Sequence, residues 1–270
     1  MTLSWEYIAV AYYGYLTAVA FASTRFARAR AITGGAFIAC CLVVGWQAAA
    51  WPALRMNALG FAIAFPMPVL LGGYWLSGLF FVSPMEGIER WLMAMDDRWL
   101  RRTGVLAGYA NGPAIVHEAL ETAYVLVYAV IPAAVATLAI AGRSDAVPRF
   151  WSVVLLAEFL SYGVMPWLQT RPPRVLEAAK GMAPPDSAIR RLNAAILDRG
   201  SIQANTVPSG HAAGAVATAL AVTDAVPSAG IVFLVLAAGI VAATVLGRYH
   251  YFVDSLLGIA VAVMAWGLLR

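Results

Sequence analysis

Long apolar runs constrain the fold of this chain more than any other feature of its sequence. A helix needs roughly 20 apolar residues to cross a bilayer, and a typical soluble domain has about a quarter charged residues, whereas this chain has 12%. Lipid cannot satisfy open backbone polar groups, so spanning runs should be α-helices. The predicted spans are 5–22, 33–51, 58–82, 113–141, 149–168, 208–225, 229–247 and 250–269. The sequence therefore predicts an all-α, polytopic transmembrane helical bundle.

Polar connections divide the chain into three parts. Residues 1–82 hold the amino-terminal spans, residues 83–112 form a connection, and residues 113–270 hold the remaining spans. In the connection, apolar and charged residues recur at helical spacing, and its tryptophans favour headgroup depth. We therefore predict an amphipathic helix that lies in the membrane interface.

Three polar segments of the carboxyl-terminal part should meet at one membrane face. "TRPPR" follows one predicted span, "PSGH" opens the next, and "GRYHYFVD" lies at the start of the last. A short turn at 223–230 makes two long helices antiparallel neighbours. Each helix is about 20 residues, or roughly 30 Å, long, so His250 returns to the depth of His211. Span counting therefore brings both imidazoles to the same bilayer surface.

The residues of these segments suit an anion. Arg171, Arg174 and Arg248 carry planar guanidinium groups that match phosphate oxygens. Ser209 and Gly210 lie at a predicted helix start, where free N–H groups and the positive end of the dipole attract anions. The sequence therefore predicts a phosphate-binding site.

A histidine and an aspartate add the elements of catalysis. His250 and Asp254 are four residues apart and share one helical face. A carboxylate in that position can hold the imidazole in one tautomer and stabilise its cation. Nucleophilic and general-base histidines use this orienting arrangement.

In chain order, these segments resemble three motifs of the type 2 phosphatidic acid phosphatase superfamily. "TRPPR" at 170–174 is similar to the end of the first motif, "PSGH" at 208–211 to the second, and "ATVLGRYHYFVDSLLG" at 243–258 to the third. The resemblance covers roughly residues 113–270. It implies a membrane phosphatase acting on a lipid phosphate or pyrophosphate of the phosphatidate or polyprenyl phosphate class, with no cofactor and no metal. The charge pattern gives no reason to expect a nucleic-acid partner.

The resemblance also implies roles for individual residues. His250 would be the nucleophile that takes the phosphoryl group, Asp254 would orient it, and His211 would protonate the leaving oxygen. The phosphate would be held by Arg171, Ser209, the Gly210 amide and an arginine of the third motif.

Two departures from the family pattern widen this set. Val164 stands where the first motif usually has a lysine, and Thr244 where the third has its arginine. Arg174 and Arg248 are the candidate replacements and complete the predicted phosphate-binding set. The altered spacing is similar to that of the inositol phosphorylceramide synthase branch, so water and a lipid alcohol both stay open as the acceptor.

Other functions and sites stay open as alternatives. The chain could be a phosphotransferase that moves a phospho-headgroup onto a lipid alcohol, or a non-catalytic binder or transporter of anionic lipids. His117 and Glu121 share a helical face and suggest a metal site as a minor alternative. Glu158, inside an apolar run, could brace an arginine. A tyrosine cluster predicts an interfacial belt, and its members are Tyr12, Tyr13 and Tyr15.

The cellular location follows from the same observations. We expect a multi-pass integral protein of a bacterial plasma membrane. Most Lys and Arg residues lie on the face that carries the motifs, which favours the cytoplasm by the positive-inside rule, whereas bacterial relatives commonly act outside it. The side of the active site and the oligomeric state therefore stay open.

Overall fold

The computed structural model describes residues 4–50, 65–178 and 186–270, with the side chains of 47–50 excepted. These residues form helices joined by turns, and no β-strand occurs among them. The all-α prediction is therefore confirmed. The helices of this part are α1 Trp5–Ala22, α2 Arg30–Ala50, α3 Pro66–Gly78, α4 Glu86–Asp96, α5 Val105–Ala110, α6 Ala114–Val125, α7 Val127–Ile140, α8 Val147–Tyr162, α9 Pro173–Ala178, α10 Ala188–Gly200, α11 Gly210–Ala225, α12 Pro227–Leu246 and α13 Phe252–Leu268.

Fewer helices reach full spanning length than the apolar runs predict. Within the described residues, Thr24–Trp46 and Pro227–Leu246 are each long and apolar enough to cross a membrane. α6 and α7 qualify together as one span that is bent by 60°, whereas α13 is apolar but shorter. The run 149–168 illustrates the reason, because its helix ends at Tyr162 and turns follow. Residues 58–64 of another predicted span lie outside the described residues.

The helix α11 lies at the centre of the carboxyl-terminal bundle, where it packs against α8, α12 and α13. Its sequence, GHAAGAVATALAVTDA, is rich in alanine and glycine, and its alanines are buried. Small side chains let neighbouring helices approach closely. Dense packing around α11 therefore fixes the position of its first turn, which carries the "PSGH" segment.

The amino-terminal tyrosines join helices instead of forming an interfacial belt. Tyr12 and Tyr13 are buried, and their hydroxyls donate to the carbonyl oxygens of Gly73 (3.1 Å) and Val69 (2.8 Å) in α3. Tyr15 donates in the same way to the turn after α8. The predicted belt is wrong because the hydroxyls find backbone acceptors within the bundle.

The connection at 83–112 contains α4, two of whose carboxylates face the protein. Trp91 and Trp99 are exposed, whereas Glu89 and Asp96 are buried. The two carboxylates are seven residues apart and so share a helical face, and both pair with arginines of the predicted motifs. The outward tryptophans agree with an interfacial position, but these two acidic residues face the bundle and not the solvent.

Gly258 allows α13 to meet the start of α11 at close range. A Cβ atom added at Gly258 would lie 2.5 Å from the carbonyl oxygen of Ser209 and 3.0 Å from the Cβ of Ala212. The carbonyl belongs to the backbone, so it cannot move aside without shifting the segment that precedes His211. We expect Gly258→Ala to destabilise the protein by about 1–3 kcal/mol and to displace the first turn of α11.

Gly267 provides a matched control for this prediction. It lies in the same helix, and an added Cβ would find nothing within 4 Å. Thermal unfolding of both purified variants in detergent measures the difference. Equal melting temperatures for Gly258→Ala and Gly267→Ala would show that the close approach is not required.

Candidate active site

A cavity of about 300 Å³ is bordered by residues of all three predicted segments. Arg174, His211 and His250 form part of its polar wall. The remaining wall is largely apolar and aromatic, and includes Met67, Leu70, Leu71, Trp75, Val127 and Ile131. The cavity therefore combines a cationic and imidazole-bearing region with a surface suited to hydrocarbon.

The two histidines lie side by side at this cavity. The ring centroids of His211 and His250 are 5.4 Å apart. His211 lies in the first turn of α11, and His250 lies in the short loop between α12 and α13. The convergence predicted from span counting is therefore observed, and both rings can contact a single phosphoryl group.

Asp254 lies behind His250 and is held by other groups. Its Oδ2 atom is 3.6 Å from Nδ1 of His250 and accepts hydrogen bonds from the Asn205 side chain (2.8 Å) and the Tyr251 amide (3.1 Å). Nδ1 of His250 is buried and has no hydrogen-bond partner among the described residues. Catalytic hydrogen bonds are often long in a free enzyme and tighten in the complex, so this geometry suits an orienting carboxylate.

Asn205 links the first and third segments, a role that the sequence motifs did not indicate. Its backbone N–H donates to the carbonyl oxygen of Thr170 (2.7 Å). Its side-chain amide donates to the Thr170 hydroxyl (3.1 Å) and to Asp254. The one available signal was a polar residue three positions before Pro208. Asn205 therefore fixes the carboxylate that lies next to His250.

The polar groups of the predicted anion-binding turn have hydrogen-bond partners within the protein. Ser209 caps α11, since its hydroxyl accepts from the Ala212 amide at 3.3 Å, and its own N–H donates to the Asp254 carbonyl at 2.9 Å. The Gly210 N–H donates to the Thr206 hydroxyl at 3.2 Å. Both residues immediately precede His211, and their role as phosphate ligands stays a prediction.

Arg174 presents its charge at the cavity wall. Its guanidinium carbon lies 5.7 Å from the ring centroid of Tyr249, a distance that suits a cation–π interaction. No carboxylate of the described ranges lies within salt-bridge distance of this side chain. The guanidinium is therefore available to an anion in the cavity.

Arg171 and Arg248 are engaged by carboxylates. Nη2 of Arg171 lies 2.6 Å from Oε2 of Glu89. Nη1 of Arg248 lies 2.7 Å from Asp96, and its Nε lies 2.9 Å from Glu177. Neither arginine is among the described residues that line the cavity, so the structure does not bring these two to the histidines, and their phosphate-binding role stays a prediction.

The ion pairs shift the pKa of Glu89 and the pKa of Arg248. Burial raises the pKa of the Glu89 carboxyl, but hydrogen bonds and charge from Arg171 outweigh it, so the pKa lies below its ordinary value. Burial lowers the pKa of Arg248, but hydrogen bonding to Glu177 and the charge of Asp96 more than offset it, and the pKa is raised. Both shifts favour the ionised forms of Glu89 and Arg248.

An aromatic stack supports His211 from the side. The Tyr124 ring stacks on His211 at 5.3 Å and on Tyr249 at 3.6 Å between centroids. The Tyr249 hydroxyl donates to Glu121, which also pairs with Arg190 at 2.6 Å. Glu121 therefore anchors the stack that restricts the His211 ring.

His117, which lies in α6 with Glu121, also has a protein partner. Nε2 of His117 lies 2.7 Å from the carbonyl oxygen of Tyr109. Among the described residues, no group of three His, Cys, Asp or Glu side chains is arranged to hold a metal ion. The structure therefore does not bring His117 and Glu121 together with the other histidines as a ligand set.

The fold and the site together define a helical membrane protein with a candidate phosphoryl-transfer centre. The family model of the PAP2 superfamily matches residues 88–268, and the chain belongs to this superfamily. Membership assigns phosphatase- or phosphotransferase-type activity in general. The matched region begins inside α4 and so includes the carboxylates that hold Arg171 and Arg248. No curated protein and no solved structure matches the chain.

Proposed function

We propose that this protein is an integral membrane phosphatase that hydrolyses a lipid phosphate or pyrophosphate. Phosphatidate and polyprenyl phosphates are the substrate classes that we expect. The observation that carries the proposal is the 5.4 Å separation of the His211 and His250 rings at the wall of a cavity that Arg174 also lines.

The outer part of the cavity supports a lipid substrate. Leu71, Trp75 and Tyr128 line the cavity and are also exposed on the protein surface. They belong to α3 and α7, so a lipid can reach the histidines sideways between these helices. The apolar wall would hold hydrocarbon while the phosphate lies against Arg174.

The first half-reaction transfers the phosphoryl group to the protein. A His250 nitrogen attacks phosphorus, an N–P bond forms, and the bond from phosphorus to the lipid oxygen breaks. The His211 imidazolium gives its proton to that leaving oxygen. Asp254 stabilises the positive charge on His250, and Arg174 stabilises the charge on the transferring group.

The second half-reaction restores the protein. Water loses a proton to His211 as its oxygen attacks phosphorus, and the N–P bond breaks. Inorganic phosphate leaves, and His211 is again protonated for the next turnover. Each histidine therefore acts in both half-reactions. His211 is the general acid in the first and the general base in the second, and His250 forms the bond to phosphorus and then releases it.

A substrate panel tests the proposal. The purified protein in detergent micelles is incubated with phosphatidate or with a polyprenyl diphosphate, with and without a chelator, and inorganic phosphate is measured. We expect release from at least one lipid and no loss of release with the chelator. A folded protein that releases phosphate from neither lipid would contradict the proposed function.

A further inference from the structure

Glu158 is a buried carboxyl group at the cavity that the proposed hydrolysis does not use. It lies in α8, is 5% exposed and lines the cavity together with the histidines. Its Oε2 atom has no hydrogen-bond partner among the described residues. The suggestion that Glu158 braces an arginine is not met, because no cation of the described ranges forms a salt bridge with it.

Two glycines of α11 make room for this carboxyl group. A Cβ atom at Gly210 would lie 2.9 Å from Oε2 of Glu158, and one at Gly214 would collide with Oε1. Gly210 and Gly214 are four residues apart and share a helical face. The carboxyl group therefore lies against the first turn of α11, next to the residue that precedes His211.

The unpaired Oε2 atom of Glu158 indicates a position where a ligand can form a hydrogen bond. A buried polar atom without a partner destabilises the folded state, and the interaction with Tyr162 leaves Oε2 of Glu158 without a hydrogen bond. A hydroxyl group can donate to an ionised carboxylate or accept from a protonated one, so it satisfies Oε2 in either state. The location beside His211 places that hydroxyl next to the proposed acceptor position.

We propose that Glu158 positions an alcohol acceptor that carries two neighbouring hydroxyl groups, a small polyol or a polyol headgroup. The proposal rests on the phosphohistidine chemistry proposed above. One hydroxyl loses its proton to His211 while its oxygen attacks phosphorus, the N–P bond to His250 breaks, and a phosphate ester forms. Because that hydroxyl has one proton and gives it to His211, a second hydroxyl binds Glu158.

The acceptor preference of the protein tests this assignment. Phosphatidate, which has no hydroxyl group on its headgroup, serves as the donor, and glycerol or 1-propanol is added as the acceptor. Phosphate esters and inorganic phosphate are quantified by mass spectrometry. We expect the wild-type protein to favour glycerol over 1-propanol by at least about tenfold, which corresponds to one good hydrogen bond to a charged group.

Two substitutions separate hydrogen bonding from packing. Glu158→Leu keeps an apolar side chain of similar size and should reduce the preference for glycerol to near unity. Glu158→Gln keeps hydrogen-bonding atoms and should retain part of the preference. A change in this ratio reports on acceptor binding, since a general loss of structure lowers both products in parallel.

The outcomes distinguish this proposal from the proposed function. An unchanged preference in Glu158→Leu, or a parallel fall of both esters, would overturn the role of Glu158. Release of inorganic phosphate with no ester from either alcohol would also overturn it, while the phosphatase proposal would stand. A wild-type protein that forms neither phosphate nor ester would refute both.

Discussion

The His250→Gln variant is expected to release phosphate from its lipid substrate at least about a thousandfold more slowly than the wild-type protein. Glutamine can replace some hydrogen bonds of the imidazole, but its amide nitrogen cannot attack phosphorus and form the covalent intermediate. In the proposed mechanism His211 is used for proton transfer, and His117 bonds to the Tyr109 carbonyl outside the cavity lining, so neither histidine replaces His250. Initial rates of phosphate release with saturating lipid measure the effect.

His117→Gln is the matched control for this substitution. His117 is also buried but bonds to the Tyr109 carbonyl outside the cavity lining. Both variants should elute as the wild type does from a size-exclusion column. A His250→Gln rate within tenfold of the wild-type rate would rule out the phosphohistidine mechanism.

The covalent intermediate gives a second readout of the same prediction. Acid-labile and alkali-stable labelling from a radioactive lipid phosphate should appear on the wild-type protein after rapid quenching. The label should be absent from His250→Gln and present on His117→Gln. Label that persists on His250→Gln would place the nucleophile elsewhere.

The fold could be predicted in outline because membrane crossing leaves a strong local signal. Apolar composition and run length were sufficient to predict a helical bundle, and the tight turn before Pro227 was sufficient to predict the α11–α12 hairpin. Helix ends were not predictable at the same level. The helix of the run 149–168 stops at Tyr162, and hydropathy does not register the turns that follow.

The proximity of the two histidines was predictable for a geometric reason. His211 and His250 are separated by two antiparallel helices of similar length, so helix geometry alone returns them to one depth. Helical periodicity predicted Asp254 as the neighbour of His250, but His250 lies in the loop before α13 and only Asp254 lies in that helix, so the predicted shared helical face is not observed. The structure adds that Asp254 lies 3.6 Å from His250, a distance that no sequence spacing provides.

The arginines show where prediction from sequence ends. The sequence does not distinguish the three arginines, because each lies in or next to a motif: Arg171, Arg174 and Arg248. Only Arg174 is among the described residues that line the cavity. The carboxylates that engage the other two come from distant segments, at Glu89 in the case of Arg171. Such long-range pairs depend on how α4 packs, and helical periodicity of α4 gave no indication of it.

Arg174→Gln is expected to reduce kcat/KM for phosphate release by about 10²–10³-fold, the usual effect of removing one group that stabilises transition-state charge. Arg174 lines the cavity with both histidines, and its guanidinium has no carboxylate within salt-bridge distance among the described residues. Glutamine keeps a polar side chain but removes the positive charge. Steady-state kinetics over a range of lipid concentrations measures the change.

Two further arginine substitutions test whether the loss of activity is specific to Arg174. Arg191→Gln removes an exposed cation whose partner is the exposed Asp186, so it controls for net charge and should change kcat/KM little. Arg171→Gln removes a cation held by Glu89, and we expect a smaller loss of kcat/KM than with Arg174→Gln. A larger loss for Arg171→Gln would show that Arg171 leaves Glu89 to bind phosphate during turnover, and the assignment of Arg174 as the principal phosphate ligand would then be wrong.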